Sequence, residues 1–348
     1  MKRVLIIGAG GFIGGFIAEE SLRRGYDTWC GVRPSTSRRF LSDPRLHFVE
    51  LDYDSPSAMA RQLRGALPEG EKWDWIVYNL GATKVMVYSD FNRINYQYLR
   101  HTIEALETAA MMPARFLYMS SLSALGPCDE KNYEPYRAGM IPCPDTRYGT
   151  SKIKAETVLE TTPGLDWIIF RPTGVYGPHE QDYLMMVKCI DRHWDFGIGF
   201  RKQLLTFIYV EDLTTAIFDA LERGKTGKKY IISEPRAYTQ KEFRRIVSDA
   251  LGGKWVIPVR LPLWMAKAAS VVAEKYGVFK MKPSTLNTDK YKIMKQRNWN
   301  ADPSEAQADF GFVARHSLPE GIRLTVEAYR RDVEIARAAK KAGKGGKE

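Results

Sequence analysis

Tyr148 and Lys152 stand one helical turn apart in Tyr148-Gly-Thr-Ser-Lys152. A helix there sets phenol and amine on one face. A phenol titrates near about 10 and is a poor acid–base group at neutral pH. A neighbouring ammonium stabilises the phenolate, so Lys152 is expected to lower Tyr148 and still donate to a ligand hydroxyl. The pair alone is common on protein surfaces. Its place between two apolar runs, downstream of a glycine-rich turn, makes it specific. Ser120-Ser121 closes the apolar run Arg115 to Met119. A hydroxyl there can orient a substrate oxygen near Tyr148, or it can bond its own backbone. Ser123 is close enough to compete with Ser121 for the role.

The glycine-rich turn is Val4-Leu-Ile-Ile-Gly8-Ala-Gly-Gly11-Phe12-Ile13-Gly14-Gly15. The apolar run suits a strand buried on both faces of a parallel sheet. Phe12, Ile13, Phe16 and Ile17 recur at helical spacing, so a helix starts within the glycines. Strand, glycine turn and helix form a dinucleotide-binding fingerprint, with phosphates at the helix N-terminus. The spacing is Gly-x-x-Gly-x-x-Gly with an extra Gly10, not the Gly-x-Gly-x-x-Gly of most dehydrogenases.

The next strand, Thr28 to Val32, tests which dinucleotide is bound. NAD sites place an acid at its end for the ribose hydroxyls. Here Arg33, Ser35, Arg38 and Arg39 follow instead. Guanidinium and hydroxyl groups suit a 2′-phosphate, so NADP is expected before NAD.

These groups need a frame. Strands are expected at Leu46–Leu51, Trp75–Leu80, Arg115–Met119 and Trp167–Phe170, with helices at 92–111 and 148–161. That alternation predicts an α/β fold, a Rossmann-type doubly wound parallel sheet with a smaller, mostly C-terminal substrate lobe. The expected division is residues 1–172 plus a return segment at about 204–222 for the nucleotide domain. The lobe takes 173–203 and 223–330, and 331–348 forms a basic flexible tail. A short strand at 207–210 in the return segment, another at 229–232 in the lobe, and lobe helices at 239–251, 261–276 and 318–330 are predicted. Thr239 and Glu242 form a capping box.

Three features bound the function class. The chain has 348 residues, 44% of them hydrophobic, enough for a large core. Its net charge of +11 admits nucleic acid, an anionic membrane or an acidic cofactor. No basic run interleaved with aromatics supports nucleic acid. The four cysteines make no Cys-x-x-Cys pair, so a reducing, cytoplasmic setting is the simplest expectation. The scattered histidines show no metal-ligand spacing, and no metal is expected. No apolar run is long enough for a spanning helix.

Taken together, these motifs resemble the extended short-chain dehydrogenase/reductase family, also called the NAD(P)-dependent epimerase/dehydratase family, over nearly the whole chain. The resemblance implies that Gly8, Gly11, Phe12, Ile13 and Gly14 bind cofactor phosphates, with Arg33, Ser35 and Arg38 nearby. It implies that Asp52 and Tyr53 flank the adenine, and that Leu80, Gly81 and Ala82 follow the fourth strand beside the cofactor. Asn95, on the helix beside the active site, is catalytic together with Ser121, Tyr148 and Lys152, the last two also touching cofactor. Pro172 and Val175 flank the nicotinamide. Ser120 to Pro127 and the loss of the strand-two acid are most similar to the 3β-hydroxysteroid dehydrogenase and dihydroflavonol reductase branch. The implied reaction is hydride transfer between NADP and a ketone or secondary alcohol of a hydrophobic substrate.

A sugar-nucleotide epimerase or dehydratase with recycled NAD, for which Arg192, Arg201 and Lys202 offer phosphate contacts, is the first alternative. A non-catalytic nucleotide- or RNA-binding protein is the second. The apolar stretch 261–276, with Phe279 and Met281, is read as a packed lobe helix, with a lipid-like substrate pocket or a peripheral membrane contact as other readings. A small-molecule substrate is expected as partner, and homodimerisation stays open.

Overall fold

The strand Arg3–Ile7 is buried from Val4 onward because it lies in the interior of a sheet covered on both faces. It pairs in parallel with Asp27–Val32 on one side and Trp75–Tyr78 on the other. The computed structural model describes residues 1–280 and 286–342. From one edge, the strand order is Lys228–Ile232, Trp167–Pro172, Arg115–Met119, Trp75–Tyr78, Arg3–Ile7, Asp27–Val32 and His47–Glu50. All six neighbouring pairs are parallel. The order reverses between Arg3–Ile7 and Trp75–Tyr78, the switch point where open α/β sheets leave a ligand crevice. Separate apolar clusters cover the two faces. One holds Ile17, Leu213 and Phe310, the other Leu63, Leu99 and Leu159.

The domain division needs two corrections. The strand expected in the small lobe at 229–232 is the edge strand of the large sheet. Helix Ser304–Phe310 also returns to that sheet, where Phe310 packs 5.1 Å from Tyr230 and 6.1 Å from Phe170. A short edge strand far along the chain carries no local mark of the sheet it joins. The second correction concerns the tail. Helix Leu318–Ala342 runs past residue 331, where a flexible tail was expected to begin, and residues 343–348 lie outside the described residues.

The small lobe packs Val187, Phe243, Val247, Ile322 and Val326 from three helices into one core. Thr239 caps helix Gln240–Ala250 with the expected box, its hydroxyl accepting from Glu242 N–H at 3.2 Å and its N–H donating back at 2.8 Å. Two parallel strands, Trp194–Ile198 and Ile257–Leu261, were not foreseen. The helix expected over 92–111 contains a π turn at Arg93–Gln97 between Ser89–Asn92 and Tyr98–Ala109. Such a turn re-aims one side chain, here the buried Asn95.

Under the sheet's carboxyl edge, Glu156 of helix Arg147–Thr161 meets Arg171 in a two-bond ion pair of 2.5 and 3.1 Å, both side chains 1% exposed. Ser120 donates to the same carboxylate at 2.5 Å, and Arg171 donates to the Ala138 carbonyl at 3.2 Å. Breaking such a pair leaves an uncompensated buried charge. Arg171→Met is expected to cost about 3–5 kcal/mol in urea unfolding. Adding Glu156→Gln should recover part of that loss, and a single variant within about 1 kcal/mol of the parent would show the pair to be dispensable.

Candidate active site

The glycine turn is built by close approach. Gly8 has φ +88°, and a Cβ there would lie 2.6 Å from the Leu80 nitrogen. A Cβ at Gly14 would lie 2.3 Å from the Gly8 carbonyl oxygen. Gly11 is the N-cap of helix Phe12–Arg23, so the N–H groups of Phe12 and Ile13 lack intrahelical acceptors. This backbone, open at the switch point and closed to side chains, fits a dinucleotide pyrophosphate.

The loop after the second strand folds over that turn. Thr36, which the sequence did not single out, accepts the Arg33 N–H at 2.9 Å, and its methyl group occupies the space a Gly10 side chain would need. Arg33 and Ser35 are exposed. Arg38 is committed elsewhere, 4.3 Å over the Phe48 ring and 3.7 Å from Glu50. Asp52 is exposed and accepts the Asp54 N–H at 3.1 Å. Tyr53 departs from the expectation. Its side chain is buried in the core beside Tyr98, and burial holds its phenol well above the ordinary range against the pull of nearby Arg33. Its ring therefore offers a ligand no open surface.

After the fourth strand, Leu80 packs on the core while Gly81 is exposed. Asn95 clamps Ala82 from both sides, accepting its N–H at 2.7 Å and donating to its carbonyl at 3.1 Å. It also donates to the Ser151 hydroxyl at 2.9 Å. Asn95 is thus a positioning residue that ties this loop to the Tyr148 helix. Pro172 ends its strand buried, and Val175 pairs with Ile208 in a separate two-stranded sheet.

Tyr148 lies in the first turn of helix Arg147–Thr161. Asp289 from the small lobe accepts the N–H groups of Arg147 and Tyr148 at 2.8 and 3.2 Å. No local signal could reveal that contact across 141 residues. Ser121 bonds the phenol and opposes its upward shift. Its oxygen accepts the Ser123 N–H at 3.2 Å, leaving its own proton to donate. Lys152 sits 5.9 Å over the Tyr148 ring and donates to the Met119 carbonyl at 2.8 Å.

The electrostatics correct one expectation. Burial pushes the phenol up to about 12, with Ser121 the opposing influence, where a net lowering was expected. Burial also pushes the Lys152 amine down to about 7, against the attraction of Glu156. Beyond the predicted set, Lys84 and Lys290 both pair with Asp182, linking the loop after the fourth strand to two small-lobe helices. Among the described residues no cluster of candidate metal ligands is present.

Residues 4–233 match the NAD dependent epimerase/dehydratase family. The chain belongs to that family. It is an NAD(P)-dependent enzyme of the oxidoreductase type, within the extended short-chain dehydrogenase/reductase fold. A ceramide reductase of Caulobacter vibrioides is 24% identical over 328 residues, covering 94% of each chain. The solved dTDP-glucose 4,6-dehydratase DesIV of Streptomyces venezuelae, with NAD bound, is similar in fold at TM-score 0.74 and 22% identity, covering 94% of this family member and 97% of DesIV. RMD of Pseudomonas aeruginosa, complexed with NADPH, is similar at TM-score 0.70 and 17% identity, over 95% and 100% of the two chains.

The buried amine gives a stability test. The folded value of Lys152 lies below its unfolded value near 10.5, so the unfolded chain binds the extra proton between about pH 7 and 10.5. Stability from this group therefore rises with pH across that window, by up to about 1.4 kcal/mol per pH unit. Urea titrations from pH 7.5 to 9.5 should show a shallower rise in Lys152→Met than in the parent. Equal slopes would mean that the amine is not held in a dry site.

Proposed function

We propose that this family member is an NADP-dependent reductase of a ketone, working on a hydrophobic, sterol-like, flavonoid-like or long-chain lipid substrate. In reverse it would oxidise the corresponding secondary alcohol. The observation that carries the reaction is the Ser121 hydroxyl set against a Tyr148 phenol that burial keeps protonated. The nicotinamide supplies the hydride. Ser121 donates to the carbonyl oxygen, and Tyr148 gives it the proton as general acid. A phenol pushed up to about 12 still loses its proton readily to an alkoxide, which is far more basic. The Lys152 amine lies beside Gly81, 3.1 Å from where a Cβ there would stand, and would hold a cofactor ribose hydroxyl. Asn95 holds the Ala82 loop that this ribose would face.

The hydrophobic substrate class is supported by the ceramide reductase that aligns along 94% of both chains. It agrees with Ser120 to Pro127, the segment that resembles the 3β-hydroxysteroid dehydrogenase and dihydroflavonol reductase branch. NADP is supported by exposed Arg33 and Ser35 where NAD sites carry an acid. A sugar-nucleotide dehydratase with retained NAD is the second reading, favoured by the fold shared with DesIV.

The two readings separate on denaturing the purified protein and identifying any released nucleotide, then titrating NADPH and NADH into the emptied chain. No tightly held NAD and a preference for NADPH are expected. Arg33→Ala should reduce that preference by about 10-fold or more, the worth of a charge-assisted hydrogen bond. Retained NAD would overturn the reading. Separately, Tyr148→Phe should lower kcat about 100-fold or more while leaving the Kd for NADPH within about twofold; a matching loss of NADPH affinity would make Tyr148 a binding group instead.

A further inference from the structure

Helix Leu263–Phe279 wears its amphipathicity inside out. Small residues Ala266, Ser270 and Gly277 face the protein and are buried. Large apolar residues face solvent, with Trp264 72%, Val272 68% and Tyr276 60% exposed. A lobe helix that served only to pack would turn its large side chains inward. The reading of 261–276 as a packed or pocket-lining helix is therefore corrected for Trp264 and Met265, and Met281 lies outside the described residues.

The exposed surface continues beyond the helix. The parallel strands Trp194–Ile198 and Ile257–Leu261 pair Trp194 with Ile257, Phe196 with Val259 and Ile198 with Leu261. Alternate residues share a face. Trp194, Phe196, Ile257 and Leu261 are all exposed. Most of the exposed large apolar side chains among the described residues fall within 194–200 and 255–276. Scattered apolar residues need no account, but a concentration of this kind in elements adjacent along the chain marks a contact surface.

Charge indicates what covers it. The acids of this region are engaged: Asp195 is buried against Arg244 and Arg260 at 3.2 and 2.7 Å, Asp191 pairs with Lys254 at 2.5 Å, and Glu274 accepts the Thr288 N–H at 2.9 Å. Arg192, Arg201, Lys267 and Lys275 are exposed. The face is apolar, aromatic and cationic, on a chain of net charge +11. A two-fold pairing of this face with a second copy would bring like charges together. An anionic bilayer accepts both the apolar side chains and the cations. No helix among the described residues is long and apolar enough to cross a membrane, so the contact is one of lying on the surface.

We propose that helix Leu263–Phe279 and the adjoining two-stranded sheet dock on an anionic phospholipid surface. The docked helix is close to the chemistry. Glu274 holds Thr288, whose hydroxyl meets Tyr88 at 2.9 Å, and the next residue, Asp289, caps the Tyr148 helix. Under the lipid-substrate reading above, this face brings the active-site cleft to where such a substrate dissolves; the docking itself does not depend on that reading.

The test is co-sedimentation of the full chain with phosphatidylcholine vesicles, with and without about one quarter phosphatidylglycerol. Binding to the anionic vesicles is expected, falling about 10-fold or more at high salt. A Phe196→Ser/Trp264→Ser/Val272→Ser variant should lose it by a similar factor while keeping the parent's circular dichroism and nicotinamide nucleotide affinity. Lys267→Glu/Lys275→Glu should weaken only the anionic preference. Failure to bind either vesicle, or binding untouched by the triple variant, overturns the proposal. So does a solution dimer that the triple variant splits without any vesicle binding, which assigns the face to a second copy. Inactivity on lipid ketones would sink the substrate reading and leave the vesicle result standing.

Discussion

Burying a carboxylate and a guanidinium costs several kcal/mol per ion, which close geometry and complete hydrogen bonding must offset. Glu156 and Arg171 meet that condition through two mutual contacts, with Ser120 and the Ala138 carbonyl taking remaining lone pairs and protons. The pair joins helix Arg147–Thr161 to the strand Trp167–Pro172, and Ser120 joins both to the end of Arg115–Met119. The three elements cannot slide without unpairing a buried charge. Ser121 follows Ser120 directly, and Lys152 and Tyr148 stand one and two turns before Glu156 on the same helix. The distance between hydroxyl, phenol and amine is therefore set beneath the site, by Ser120, Glu156 and Arg171.

That arrangement also sets the protonation of the site. Lys152 is one turn from a carboxylate, which would ordinarily keep an ammonium charged. Here the carboxylate is already committed to Arg171, and the amine drops to about 7 despite it. The phenol rises to about 12 for the same reason, a dry surrounding that disfavours any charge. Tyr148 accordingly holds its proton at neutral pH, the form a reduction needs at its start. The helical spacing alone suggested the opposite, an ammonium pulling the phenol down, because spacing does not report how much water reaches the pair.

Local and periodic features were legible. The buried strand before Gly8, the glycine contacts, the strand-by-strand alternation and the Thr239 capping box follow from patterns within about a dozen residues, and the structure carries them. Long-range features were not. Nothing near Lys228 marks it as the edge of the large sheet, and nothing near Asp289 marks it as a cap for Tyr148. The π turn that re-aims Asn95 departs from the 3.6-residue period on which the helix reading rests. Glu156 had a readable clue, its i+8 position on the face of Tyr148 and Lys152, but a charge on a buried face is meaningful only once Arg171 is known to lie opposite. Tyr53 looked like an open ring because the sequence after the third strand does not say which side chains turn inward.

The small lobe belongs to the site as much as the sheet does. The chain leaves the sheet at residue 173, returns to its face with helix Val210–Arg223 and to its edge at 228, and comes back once more with Ser304–Phe310 beneath it. Each return is closed by contacts far apart in sequence, so neither part is a continuous segment that could order itself first and accept the other later. Asp289 completes the N-terminus of the Tyr148 helix, and Asp182 ties Lys84 to Lys290 across the two parts. A displacement of the lobe must therefore either free the Arg147 and Tyr148 N–H groups from Asp289 or break paired charges at the loop held by Asn95. The position of the lobe and the placement of Tyr148 are in this way one mechanical problem, with Asp289 as the point where a change in the first becomes a change in the second.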